Sequence, residues 1–307
     1  MKIHVALLAV LLPFAALAAP TPEAMALVRK FVAEELHGNL DALADVDLAT
    51  LAGHPLYGTP GRTFDTDDGN LVRALFDVLY AEALPGLALP TLGTGRAYRG
   101  DTLNTFHTLF GRPIPDQPGR FAGLERHRPS DDLRARAAAF HRTYHTLGNL
   151  APLPNRSLGR LTFNTYRGTH PEWRDAFPTF LENLRLALLA DPAADATLRQ
   201  LVERNAEAFR EFRTSDGLAR FARRLDLDDY LDPATGLPIL HYAPNAHFLA
   251  QSDAAYVASA DRYLAIAPDL IQRRAARMIA RLRPRLPAPV PGADEEQGGD
   301  GTRPHGF

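Results

Sequence analysis

His141 and His145 lie four residues apart in a stretch of helical periodicity, a spacing that lets two imidazoles approach one metal ion from the same side of a helix. Asp101, His107 or His170 would supply a third ligand, and His145 would serve as base or metal ligand in a hydrolytic site. The zinc-protease pattern His-Glu-x-x-His needs a glutamate where this chain has Arg142, so the spacing alone does not select that chemistry. A divalent metal is the one cofactor these residues suggest.

A second set of polar residues recurs between Arg99 and His170. Tyr98-Arg99-Gly100 returns as Tyr166-Arg167-Gly168, and Asn104-Thr105-Phe106 as Asn164-Thr165-Tyr166. Arginine, asparagine, threonine and tyrosine are donors and acceptors that require partners when buried. Arg99, Asp101, Asn104, Asn149, Asn155 and Arg167 are therefore the expected lining of a pocket for a small polar or anionic ligand, with the arginines facing the anion. A helix begun at Asp101 would put Asp101, Asn104 and Thr108 on one face; equally, Asp101 would cap that helix while Asn104 braces a neighbouring loop. In Gly148 to Asn155, Gly148 and Asn149 suit a left-handed helix end, Pro152 and Pro154 stiffen the exit, and Asn155 is placed to tie the loop down.

The motifs Arg99-Gly100-Asp101-Thr102-Leu103-Asn104-Thr105-Phe106, Tyr144-His145-Thr146-Leu147-Gly148-Asn149, Pro152-Leu153-Pro154-Asn155 and Asn164-Thr165-Tyr166-Arg167-Gly168 together resemble an uncharacterised bacterial family of helical proteins. That resemblance brings no known activity. His145 to Leu150, with Asn155 following, also resembles a short piece of the HNH-like domain of modification-dependent restriction nucleases, which implies a metal-assisted phosphodiesterase. The nuclease family has an acidic-histidine-proline motif upstream, and Glu125-Arg126-His127-Arg128-Pro129 departs from it through its arginines. The sequence contains no Gly-x-Ser-x-Gly elbow, no Gly-x-x-x-x-Gly-Lys loop and no Gly-x-Gly-x-x-Gly fingerprint, so standard serine hydrolases and nucleotide-binding folds lose support.

Helices must hold these residues. Met25, Val28, Phe31, Val32 and Leu36 follow the three-and-four rule, with His37-Gly38 as a stop; Leu71, Val72, Leu75, Phe76 and Leu79 repeat it after Thr66-Asp67-Asp68. Ser130-Asp131-Asp132 opens a helix that runs to Tyr144 or His145. Helical spacing returns over 172–189, 193–212, 217–225 and 253–282. No strand pattern competes with them. The expected fold is all-α, an irregular multi-helix domain over residues 20–284 with a long ordered loop after the central helix. Residues 285–307 read as a disordered tail, and six arginines between Arg273 and Arg285 read as the solvated face of the last helix.

At 307 residues, 46% hydrophobic and 23% charged, the chain can bury a core without crosslinks. It has no cysteine, which excludes disulfides and a thioether-linked lipid anchor. Residues 1–19 read as a secretory signal: Lys2 and His4, an apolar run from Val5 to Leu17, then Ala16-Leu17-Ala18 at the cleavage positions, with the cut after Ala18 or Ala19. The apolar run is too short for a lasting membrane anchor, so the expected location is the periplasm or the secreted fluid. With a formal net charge of -2, bulk attraction to nucleic acid is not expected.

Overall fold

Thr21, Ser130, Asp195 and Ser252 each accept a backbone N–H of the helix that follows, and these four caps mark where long segments of chain turn helical. The computed structural model describes residues 19–59, 69–84, 98–168, 177–240 and 252–286. Its principal helices are α1 (Pro22–Glu34), α2 (Asn70–Tyr80), α5 (Asp131–Thr143), α7 (Phe177–Leu188), α8 (Ala196–Arg204), α10 (Gly217–Arg224) and α11 (Asp253–Leu282). Short helical turns, α3 (His107–Phe110), α4 (Ala122–Glu125), α6 (Phe163–Gly168) and α9 (Ala206–Phe209), fill the connections. No helix among the described residues is long and apolar enough to cross a membrane.

The fold is helix-dominated, but it is not purely helical. β1 (Tyr98–Thr102) pairs antiparallel with β2 (Leu150–Pro154), Tyr98 opposite Pro154 and Thr102 opposite Leu150. Asp101 therefore sits in a strand and starts no helix, and Asn104 and Thr108 do not share a helical face with it. The long loop expected from Gly148 supplies the second strand. Leu103 N–H donates to Asn149 O at 2.7 Å, which makes 103 and 149 a hydrogen-bonded pair. Counting along the register puts Pro152 and Pro154 at non-hydrogen-bonded positions, where their missing N–H groups cost the ladder nothing. Proline content suggested a loop here; its parity made a strand.

Other boundaries also shift. The 193–212 segment breaks at Asn205 into α8, α9 and a 3-10 turn, because the Asn205 amide bonds Arg156 O (2.9 Å) and Leu201 O (2.8 Å) while its Oδ1 accepts Arg156 N–H. Asn205, rather than Asn155, ties down the chain after β2. The Thr66-Asp67-Asp68 cap and the tail from 287 lie outside the described residues.

The thirty residues of α11 form the spine. Ala260, Tyr263, Leu264 and Ala267 pack with Phe106, Phe110, Phe140 and Tyr256 in one apolar cluster. Met278, Ile279 and Leu282 join α1, α2, α7 and α10 in the larger one. Leu147 of the turn before β2 and Leu150 at the start of β2 belong to the larger cluster while Tyr144 belongs to the smaller, so the motif region lies where the two meet. Gly148 touches α11 directly: a Cβ there would lie 2.0 Å from Ile271 O. Its φ is not in the left-handed region, so close approach, and not helix termination, explains this glycine.

The arginines at the end of α11 and just beyond it are a solvated face only in part: Arg273 and Arg283 are exposed, and the others are buried or half-buried. Arg281 pairs with Asp226 at 2.8 Å, Arg283 with Asp41 at 2.6 Å and Arg285 with Glu82 at 2.8 Å, while Arg277 pairs with Asp229. Arg274 is fully buried. The acidic partners come from loops far away in sequence, which helical periodicity cannot reveal.

Candidate functional site

The polar motif residues converge, and they converge on one another. Asp101 is buried, and its Oδ2 accepts from Arg167 Nη1 at 2.6 Å while its Oδ1 accepts from Asn164 at 2.7 Å. Arg167, 1% exposed, also donates to Thr102 O at 2.9 Å and to Leu103 O, and its guanidinium lies over the rings of Phe177 and Phe180. This buried pair seals β1 against α6 and α7.

Asn104 and Asn149, both fully buried, form the adjoining unit. Asn149 Oδ1 accepts from the backbone N–H of Asn104 (2.8 Å) and from its side chain (3.0 Å). The Asn149 amide donates to Asn104 O (2.9 Å) and Tyr144 O (2.8 Å), which uses all four of its bonding directions. Asn104 spends its second amide hydrogen on the Tyr230 hydroxyl at 2.7 Å. Burial pushes the Tyr230 phenol up to about 12, so it stays neutral. Behind this unit, Arg274 donates to Gly148 O (2.8 Å), Leu150 O (2.7 Å), Leu225 O (2.9 Å) and the Tyr80 hydroxyl (3.1 Å). Asp101, Asn104, Asn149 and Arg167 are thus brought together, but their bonds are made within the chain. Arg99, in β1, and Asn155, one residue past β2, are half-buried at the same end of the antiparallel pair.

The histidines behave differently. His107 at the start of α3 and His145 just beyond α5 flank the Tyr144 ring, and His141 in the last turn of α5 packs against His107. Ring centroids are 5.8 Å apart for His107 and His141, 6.5 Å for His107 and His145, 5.2 Å for His107 and Tyr144, and 4.3 Å for Tyr144 and His145. Phe106 and Phe121 back His141. All three histidines are half-buried. The helix ends at Thr143, so His141 and His145 are not on consecutive turns of one helix as their spacing predicts.

Three more charged groups border this niche. Asp47, whose Oδ1 caps Ala49 N–H at 3.0 Å, comes in because Leu48 N–H donates to His145 O at 3.1 Å. Arg112 acts on His107, and Arg142 on His141. Burial lowers the pKa of each imidazole; His145 falls to about 4, against a raising effect of Asp47 and a further lowering by His107 and His141. The three are therefore neutral at pH 7. His107 Nδ1 lies 3.4 Å from Gly111 O, whereas His145 Nδ1 is buried with no hydrogen-bond partner.

Among the described residues, no group of three or more His, Asp or Glu side chains is arranged to hold a metal ion. His170, one of the expected third ligands, lies outside them. His107 could be named from sequence as a neighbour of this pair, and Arg112 follows it by five residues; Asp47 could not, since it arrives from a segment distant in the chain.

No family model, curated protein or solved structure matches this chain. The niche has to be read from its own geometry.

Proposed function

We propose that this chain is an exported, non-catalytic binding protein that takes a small polar or anionic ligand at the His107–His141–His145 niche. The observation that carries this reading is the buried, unpartnered Nδ1 of His145 beside two other neutral imidazoles, in contrast to the completed bonds of Asn104 and Asn149. A buried polar nitrogen without a partner costs free energy that a ligand hydrogen bond recovers. Aromatic walls from Phe106, Phe121 and Tyr144 give the niche an apolar backing, the usual surroundings of a few convergent polar groups. Arg112 and Arg142 favour an anion over a cation. The signal-like residues 1–19 support export.

Isothermal titration with inorganic phosphate and with citrate tests this directly. Anion binding would protonate the imidazoles, so affinity rises as the pH is lowered from 7.5 to 5.5 and is lost in His107→Ala/His145→Ala. Heat that is unchanged by that double substitution contradicts the reading.

A metal-assisted hydrolase is the second reading, favoured by the neutral state of the imidazoles, which is the form that ligates metals. It predicts stoichiometric zinc, manganese or nickel in the purified protein, lost on His145→Ala; metal-free protein opposes it.

A further inference from the structure

Asp77 lies on α2, fully buried, and does not take part in either polar unit or in the histidine niche. Its Oδ2 accepts two hydrogen bonds from a single residue, the backbone N–H of Thr21 at 3.0 Å and the Thr21 hydroxyl at 2.6 Å. The same hydroxyl accepts Ala24 N–H at 3.3 Å, so Asp77 orients the cap of α1 and sits at the positive end of that helix. Its other oxygen, Oδ1, is buried and has no partner. Neutral donors and a helix end leave half of a buried carboxylate unsatisfied, and a buried carboxylate is stable only when paired and fully hydrogen-bonded.

Processing would add a cation close to this place. Hydrolysis of the Ala18–Ala19 bond, with water supplying the hydroxyl to Ala18 and a proton to the nitrogen, leaves an ammonium on Ala19. That nitrogen is two residues from the Thr21 nitrogen already held by Asp77, a span of at most about 7 Å. Pro20 between them has its φ restricted near the value of a bend, and it is half-buried while Ala19 is exposed.

We propose that Asp77 is the receptor for the α-ammonium group of the processed chain, an ion pair between Ala19 N and Asp77 Oδ1 that completes the fold when the leader is removed. The inference rests on the export reading, and it ties cleavage to the seating of α1 on α2. An uncleaved chain lacks the cation and keeps the unsatisfied oxygen.

The test compares the chain beginning at Ala19 with the same chain acetylated at that amine, and both with their Asp77→Asn counterparts. The free amine raises Tm by about 3 °C or more over the acetylated form. In Asp77→Asn the two forms melt together. Equal Tm values in the wild-type background, or a gap that persists in Asp77→Asn, overturn the pairing. Should Asp77→Asn fail to fold, acylation of the wild-type amine decides: the folded chain reacts more slowly than the urea-unfolded chain and with a higher apparent amine pKa, and equal rates and pKa values refute the proposal. N-terminal sequencing of the exported protein is a separate readout. A start at Pro20 keeps export but overturns the Ala19–Asp77 pair, whereas an uncleaved chain removes the export premise.

Discussion

The Asp101–Arg167 and Asn104–Asn149 units and the histidine niche are built from the same stretch of sequence, yet they have opposite hydrogen-bond accounts. In the first, every bonding direction of Asn149 is used inside the chain, and Asp101 holds Arg167 and Asn164 on its two oxygens. In the second, three imidazoles sit half-buried beside one another, with His107 between the other two, and one has a buried nitrogen with nothing to bond. Polar residues that complete one another hold a fold together; polar residues left incomplete are where a ligand gains something. Unusual composition alone does not separate the two.

The comparison breaks most visibly at Arg167. Arg167→Ala strands a buried carboxylate at Asp101, so it should cost about 3–5 kcal/mol in urea denaturation, whereas His145→Gln should cost under about 1 kcal/mol at pH 8. Similar losses for the two would erase the distinction between the regions.

Gly148→Ala comes next. A Cβ placed 2.0 Å from Ile271 O forces the 147–149 turn away from α11, which should cost about 1–3 kcal/mol and loosen the carbonyls that Arg274 holds. Amide exchange across β1 and β2 should accelerate in the same variant, while exchange in α8 should not.

The smallest expected effect sharpens the other side. Because burial depresses the three histidine pKa values in the folded chain, the unfolded chain binds more protons below about pH 6.5, and for His145 this continues down to about pH 4. Their stabilising contribution is complete above pH 6.5 and is lost as the pH falls toward 4, with about 1–2 kcal/mol of that loss assigned to His145 after allowance for its partial exposure. Denaturation at pH 7.5 and pH 4.5 should show a smaller difference in His145→Gln than in the wild type. An unchanged difference would mean that His145 is not desolvated as described.

Local signals in the sequence were reliable where a cap or a period defined the element. Ser130 opens α5, Ser252 opens α11, and His37-Gly38 ends the region of α1 with both residues at positive φ. The sheet was not legible, because its two strands are five residues each, about fifty positions apart, and one carries two prolines whose harmless parity depends on the partner. The same holds for the polar residues. Asp101, Asn104, Asn149 and Arg167 were marked by type, but Tyr230 and Tyr263, which bond Asn104, come from the far end of the chain with no local mark.

The central claim is that ligand response and fold stability reside in different polar groups. Thermal shifts against phosphate and citrate, measured for the wild type, Asn149→Ala and His107→Ala/His145→Ala, test it most directly. The account predicts that Asn149→Ala lowers the baseline Tm by about 4 °C or more and still responds to anion, while the histidine double variant keeps its baseline within about 3 °C and responds to neither. A histidine variant that keeps the full anion shift, with the response vanishing instead in a folded Asn149→Ala, would contradict it.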